Sequence, residues 1–185
     1  MTVTPSNYSV LKKGSHAPNF NLPGTDGKTH SLQARPAKAF LVVFMCNHCP
    51  FVKPKMEYLK ELFDNYSPKG LVMFGISSND TEVYNEDDFE HMKIVAKEQG
   101  FNFPYLLDET QEVARAYGAA CTPDPFLFDS EMKLAYHGRI DDAHQQPHSA
   151  AKTNELEEAV KQIIEWKKIT VKEEPSYGCN VKWKE

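Results

Sequence analysis

Apolar positions along the chain fall into two kinds of run. Ala39 to Met45 and Leu71 to Ser77 are nearly continuous, as strands buried on both faces of a parallel sheet would be. Between them Val52, Met56, Leu59, Leu62, Phe63 and Tyr66 recur at three- and four-residue steps, which predicts a helix over about 51–66 that stops at Ser67-Pro68-Lys69-Gly70. Strand, helix, strand in that order implies a right-handed crossover. A second helical stripe, Phe89, Met92, Val95 and Ala96, follows the polar stretch Ser77 to Glu86, and Asp87, Asp88 and Glu90 read as its solvated acidic start. Phe103 to Leu107 predicts a short strand, Asp108 an N-cap, and Glu109 to Tyr117 a short helix ended by Gly118. Two strands, Phe126–Phe128 and Lys133–His137, follow around a turn at Asp129-Ser130-Glu131. Thr153 to Lys168 predicts the last amphipathic helix. Near the start, Phe20 and Leu22 alternate as in a strand, with Thr29 to Leu32 as hairpin partner across Asp26-Gly27.

Composition narrows the class without choosing a chemistry. A chain of 185 residues, 41% apolar and 25% charged, suits one domain with a well-buried core. Its net charge of −5 argues against nucleic-acid and anionic-membrane surfaces, and no glycine-rich phosphate loop occurs. The run Ala39 to Cys46 is too short to span a membrane, and the polar stretch Met1 to Val10 lacks the apolar core of a secretory signal, so the expected location is cytoplasmic. In a reducing compartment the four cysteines read as catalytic, redox-sensing, metal-bound or buried thiols rather than structural disulfides. Residues 1–11 form an N-terminal arm, 12–168 the main domain and 169–185 a C-terminal tail. The tail carries Cys179 among Tyr177, Gly178, Val181 and Trp183, too aromatic for disorder. The extended chain from Lys168 to Cys179 spans roughly 35 Å, enough to return to a site in the main domain.

The candidate chemistry is concentrated in Cys46-Asn47-His48-Cys49-Pro50, directly after the first buried strand. Thiols in the first turn of a helix meet unpartnered amides and the positive dipole end, which favours thiolate. A protonated His48 beside Cys46 adds to that, so Cys46 is expected to be partly ionised near neutral pH. Two residues between cysteines also suit a metal grip, and spacing alone does not separate the two chemistries. Further along, Cys121-Thr122-Pro123 puts an X-Pro bond before a strand, a place where cis geometry occurs. His137, His144 and His148 with Asp141 and Asp142 read as a polar loop rather than a metal cluster.

These features together resemble the thioredoxin fold: a strand, Cys-x-x-Cys at a helix start, Pro54, and Thr-Pro before a closing hairpin. The entry with Gly14, Ala17-Pro18-Asn19-Phe20 and Gly27-Lys28, and Pro50 after Cys49, resemble the peroxiredoxin and thiol-specific-antioxidant (AhpC/TSA) branch. Within it the chain is most similar to peroxiredoxin-like proteins bearing Cys-Asn-His-Cys-Pro-Phe-Val, on Ser78 to Asp80, Cys121 to Asp124, Gly138 to Asp142 and Gly178 to Lys184. The resemblance implies an α/β, three-layer fold with a central mixed β-sheet flanked by helices and an N-terminal β-hairpin extension. It further implies a thiol-disulfide oxidoreductase in which Cys46 is the nucleophile, Cys49 resolves the mixed disulfide, and Thr122 and Pro123 bind an extended substrate peptide, with no cofactor. Protein disulfides would be its substrates, a thioredoxin- or glutathione-type thiol its reductant, and Cys121 and Cys179 auxiliary redox residues.

Two departures keep other readings open. With Cys49 aligned on a peroxidatic cysteine, the positions that shape a peroxide pocket hold Cys46 and Val42, leaving Arg139 as a guanidinium from elsewhere. Where related reductases carry a proton-accepting Glu, this chain has Val52. The alternatives are a thiol peroxidase with Cys49 peroxidatic and Cys46 resolving, and a non-catalytic zinc module built from Cys46, Cys49, Cys121 and Cys179.

Overall fold

The computed structural model describes residues 2–32 and 36–185. The elements are β1 (Val3–Pro5), β2 (Asn21–Pro23), β3 (Thr29–Ser31), β4 (Ala39–Phe44), α1 (Met56–Tyr66), β5 (Leu71–Ser77), α2 (Phe89–Gln99), β6 (Tyr105–Leu107), α3 (Glu112–Tyr117), β7 (Cys121–Thr122), β8 (Asp124–Asp129), β9 (Leu134–His137), α4 (Glu155–Ile164) and β10 (Tyr177–Asn180). Five of the strands form the central sheet in the order β6-β5-β4-β8-β9, parallel across β4, β5 and β6 and antiparallel across β4, β8 and β9. β4 is paired on both edges, which explains an apolar run with no polar face.

Alternate side chains of β4 enter two separate cores. Ala39, Leu41 and Val43 pack with Leu59 and Leu62 of α1 and Leu156 and Val160 of α4. Phe40, Val42 and Phe44 pack on the other side with Tyr117 of α3 and Phe20 and Leu32 of the N-terminal segment. The period-two geometry of one strand therefore defines all three layers. Truncating one of these large side chains to alanine removes about 2–5 kcal/mol. The β2–β3 hairpin forms as expected, closed by Gly24 to Gly27 with Gly27 at φ 77°. Among the described residues no helix is long and apolar enough to cross a membrane.

Several element ends differ from the pattern-based expectation, each for a local reason. The helix expected from residue 51 becomes regular only at Met56, after a 3₁₀ turn at Lys53–Lys55. Pro54 has no N–H to continue the ladder, so the chain descends from Cys49 through bonds from Val52 and Lys53 N–H to the Cys49 carbonyl. The short helix expected from Glu109 starts at Glu112 behind a left-handed Gln111. Asp108 still serves the helix start, its buried carboxylate accepting from the N–H groups of Val113 and Ala114. The last helix ends at Ile164 rather than Lys168, because Trp166 turns left-handed (φ 58°) and its N–H returns to the Ile163 carbonyl.

Both chain ends return to the same place. β10 pairs antiparallel with β1 on one side and with β7 on the other, making a small second sheet.

Candidate functional site

β4 ends by delivering the Cys46–Cys49 turn to the edge of the sheet, where the Met45 N–H still bonds the Ile76 carbonyl. What holds the turn is Asp87. Its Oδ1 accepts from the Asn47 N–H (2.8 Å), and its Oδ2 accepts from Asn79 Nδ2 (2.7 Å) and meets His48 Nδ1 (2.6 Å). Asn47 is fastened further by donating to the Glu86 carbonyl and accepting from Tyr105 Oη. Asp87 had been expected in a solvated helix start; it is fully buried, and the exposed role falls to Asp88, which caps α2 by accepting from the His91 N–H. Position in an acidic run could not separate the two carboxylates, because what buries Asp87 is contact with Asn47 and His48, forty residues away in sequence.

The sulfurs converge opposite β7. Cys49 Sγ lies 3.1 Å from the Thr122 carbonyl oxygen and 2.9 Å from Cys179 Sγ, while Cys46 Sγ is 3.5 Å from Thr122 Oγ1. The Thr122–Pro123 bond is cis. None of the four cysteines is in a disulfide, and all are buried, Cys46 at 1% exposure and Cys49 at 0%. While neutral, Cys49 can donate its proton to the Thr122 carbonyl. Once ionised, it accepts from the thiols beside it.

Those thiols decide where the charge sits. Hydrogen bonding from Cys46 first, then from Cys179 and Thr122, outweighs burial and brings Cys49 down from 9.0 to about 5. Cys46 is pushed well up by its bond to Cys49, by burial and by the Asp87 carboxylate. Cys179 is pushed up to about 12 by burial and by Cys49. These directions favour charge on Cys49 over Cys46, whereas the motif alone points to Cys46. The reason is the late start of α1 and the buried Asp87, which together replace a helix-end field with short-range donors and one nearby anion. His48 is pushed up by its bond to Asp87, and Asp87 is held low by His48 and Asn79 against the opposing effect of burial.

Other candidate residues are only partly assembled. Cys121 Sγ makes distant contacts with the Pro123 and Ser176 carbonyls, 3.8 and 3.9 Å, and burial pushes its thiol far up. The four-thiolate zinc arrangement is therefore not built. Among the described residues, the group that brings three ligand atoms within 4.8 Å is Cys46, His48 and Asp87. Both Asp87 oxygens are already engaged in holding the turn. Arg139 does not face the thiols: its Nε donates to Glu155 Oε1 (2.9 Å), and its Nη2 bonds Glu155 and Thr153. Of the loop histidines, His148 meets buried Asp141, which also pairs with buried Lys55, and His137 meets buried Asp124.

The edge of Thr122 expected to take a substrate peptide is filled by the chain's own tail. Cys179 pairs with Thr122 and Asn180 with Cys121, both antiparallel.

Comparison with other proteins agrees with this architecture. The AhpC/TSA family pattern matches residues 13–137. The thiol-disulfide oxidoreductase ResA of Bacillus thuringiensis (strain Al Hakam) is 26% identical over 124 residues, 67% of this chain and 68% of the relative. An uncharacterized conserved protein from Geobacillus kaustophilus superposes with a TM-score of 0.92 at 42% identity, covering 100% of this chain and 97% of the other. The thioredoxin domain of a thiol-disulfide oxidoreductase from Bacteroides vulgatus superposes at 0.59 with 24% identity, over 69% of this chain and 88% of the other, a likeness of fold.

Proposed function

Since the chain belongs to the AhpC/TSA family, we propose that it is a thiol-disulfide oxidoreductase acting through Cys49 and Cys46, with protein disulfides as its substrate class. The observation that carries this reading is the convergence of sulfurs on Cys49, whose Sγ lies 2.9 Å from Cys179 Sγ beside the Thr122 backbone, with hydrogen bonds from Cys46 and Cys179 that lower its pKa. Cys49 attacks one sulfur of a substrate disulfide, the substrate S–S bond breaks, and a substrate thiolate leaves. Cys46 then attacks Cys49, closing a Cys46–Cys49 disulfide and releasing the second substrate thiol. Two electrons pass to the substrate, and the leaving sulfurs take one proton from Cys46 and one from solvent.

His48 is the proposed proton relay in this exchange. Its Asp87 partner raises its pKa, which favours the protonated ring that can give a proton to a departing thiolate. A thioredoxin- or glutathione-type thiol would return the protein to its reduced form.

A peroxidase reading also draws on the Cys49 anion. The guanidinium expected for it, that of Arg139, is bound to Glu155 instead. Reduced protein mixed separately with insulin and with hydrogen peroxide separates the two. Insulin reduction abolished by Cys49→Ser supports exchange. Rapid sulfenate at Cys49 with no insulin reduction would overturn it in favour of peroxide chemistry.

A further inference from the structure

The tail occupies the position that a substrate strand would need. β10 lies antiparallel on β7 with Cys179 opposite Thr122, and places the Cys179 sulfur 2.9 Å from that of Cys49. This is the arrangement of a bound substrate poised for exchange, supplied by the chain itself. The docking is sequence-specific at Gly178: a Cβ there would come within 2.0 Å of the Thr122 carbonyl oxygen, a contact that only glycine avoids.

The strand is also latched beyond the cysteine. Buried Gln111 donates from Nε2 to the Ser78 and Lys182 carbonyls (both 2.7 Å) and accepts the Lys184 N–H at Oε1 (2.8 Å). Asn79, which holds Asp87, accepts the Lys182 N–H at 2.9 Å. Thus the residues that brace the reactive turn and those that clasp the tail are one network.

We propose that the C-terminal strand is a built-in substrate surrogate: external disulfides reach Cys49 by displacing it, and Cys179 then exchanges with Cys49 as the strand returns. The proposal deepens the exchange reading and rests on it. In the open state Cys49 attacks an external disulfide, forming a mixed disulfide and expelling one external thiolate. The returning strand brings Cys179, whose sulfur attacks Cys49. The mixed disulfide breaks, a Cys49–Cys179 bond forms, and the second external thiol leaves. Two electrons have passed from Cys49 and Cys179 to the external disulfide, with one proton from Cys179 and one from solvent going to the leaving sulfurs. Cys46 can next attack Cys49, giving the Cys46–Cys49 disulfide and freeing Cys179 as a thiol, so that the strand can lift again. Cys49 is the hub of three sulfurs.

The same register names a substrate preference. A peptide that copies the tail's pairing needs no side chain on the residue before its cysteine, so a Gly-Cys strand is accepted and a Val-Cys strand collides with the Thr122 carbonyl.

The test uses the full chain. The Cys46→Ser variant, oxidised by a stoichiometric small disulfide and mapped by mass spectrometry, is expected to contain a Cys49–Cys179 bond. Gln111→Ala loosens the latch without touching any sulfur, and alkylation of Cys49 by iodoacetamide is expected to accelerate about tenfold because the buried sulfur is exposed more often as the strand lifts. Wild-type protein is expected to reduce a mixed disulfide of a Tyr-Gly-Cys-Asn peptide at least about tenfold faster than that of its Tyr-Val-Cys-Asn counterpart, the scale of one steric exclusion. Insulin reduction by the same wild-type sample reports the exchange reading independently. If insulin is reduced while oxidised Cys46→Ser holds no Cys49–Cys179 bond and the two peptides react equally, the surrogate role is overturned and exchange through Cys46 and Cys49 stands.

Discussion

Cys121 and Thr122 are neighbours in one short strand, and the chemistry on their two sides is opposite. On the Thr122 side hydrogen bonds from other thiols lower the pKa of the Cys49 sulfur, beside the Asp87–His48 pair. On the Cys121 side a sulfur is equally buried, with two distant carbonyls and the Ser6 hydroxyl near it, beside the buried Asp124–His137 pair. Each pair also leaves one imidazole nitrogen buried without a partner, His48 Nε2 and His137 Nδ1. Depth of burial therefore does not separate a reactive thiol from an inert one. The separation comes from the balance of neighbours: hydrogen bonds from two thiols outweigh burial at Cys49, whereas at Cys121 burial and the Asp124 carboxylate, which opposes a second negative charge, outweigh the one donor, the Ser6 hydroxyl.

Asp124 also does a different job from Asp87. It accepts from Ser6 Oγ and meets His137 Nε2 at Oδ1, both at 2.8 Å, and accepts the Ala120 N–H at Oδ2. These bonds gather the N-terminal segment, the approach to β7 and the end of β9. It is a structural knot where Asp87 is a functional one.

The contrast can be broken most forcefully at the sulfurs. Cys49→Ser is expected to lower disulfide exchange by at least about a thousandfold, because the nucleophile acts as part of a unit, while Cys121→Ala leaves the rate unchanged. An insulin turbidity assay on both variants reads this. At the carboxylates, Asp87→Asn is expected to slow exchange by about 10–100-fold and to lower the apparent pKa of His48, the range for losing a positioned proton-transfer group. Asp124→Asn should instead leave the rate intact and reduce unfolding free energy by about 2–3 kcal/mol, as buried partners lose a charged acceptor. Urea denaturation beside the activity assay distinguishes the two.

The pH dependence sharpens the same comparison. Cys49 has its pKa depressed on folding, from 9.0 to about 5, so ionisation of this sulfur adds stability that is complete above 9.0 and lost as pH falls through about 5. His48 has a raised pKa, so its contribution is complete below 6.5 and lost as pH rises through the folded value. Thiolate absorbance followed by ultraviolet titration should therefore show one sulfur ionising near pH 5 and the others silent through neutrality. A smaller effect is expected from Cys121→Ala on stability, about 1 kcal/mol for a small buried side chain.

Much of the scaffold was legible because its signals are local. The unbroken apolar run of β4, the helical stripe before Tyr66 and the Asp26-Gly27 turn each carry their structure in a few residues. The cis bond at Pro123 was legible from motif and order. What was not legible depends on contacts between distant segments. Asp87 is indistinguishable from Asp88 until Asn47 and His48 are brought beside it. The bond between Cys46 and Cys49 favours charge on one of them, and Cys179 and Asp87, neither of which belongs to the motif, add to the preference for Cys49. Arg139 looked available for electrostatics, but Glu155 at the start of α4 claims it. Chain reach allowed the tail to return; the close approach of Gly178 to the Thr122 backbone is set by segments far apart in sequence.

The small sheet β1-β10-β7 has a practical corollary. Val3 of the outer strand pairs with Cys179, and Asn180 N–H bonds the Thr2 carbonyl, so both termini are stitched within one strand of the reacting sulfurs. An affinity handle fused to either end is therefore attached to the reaction centre itself, and kinetics measured before and after its proteolytic removal should not be treated as interchangeable.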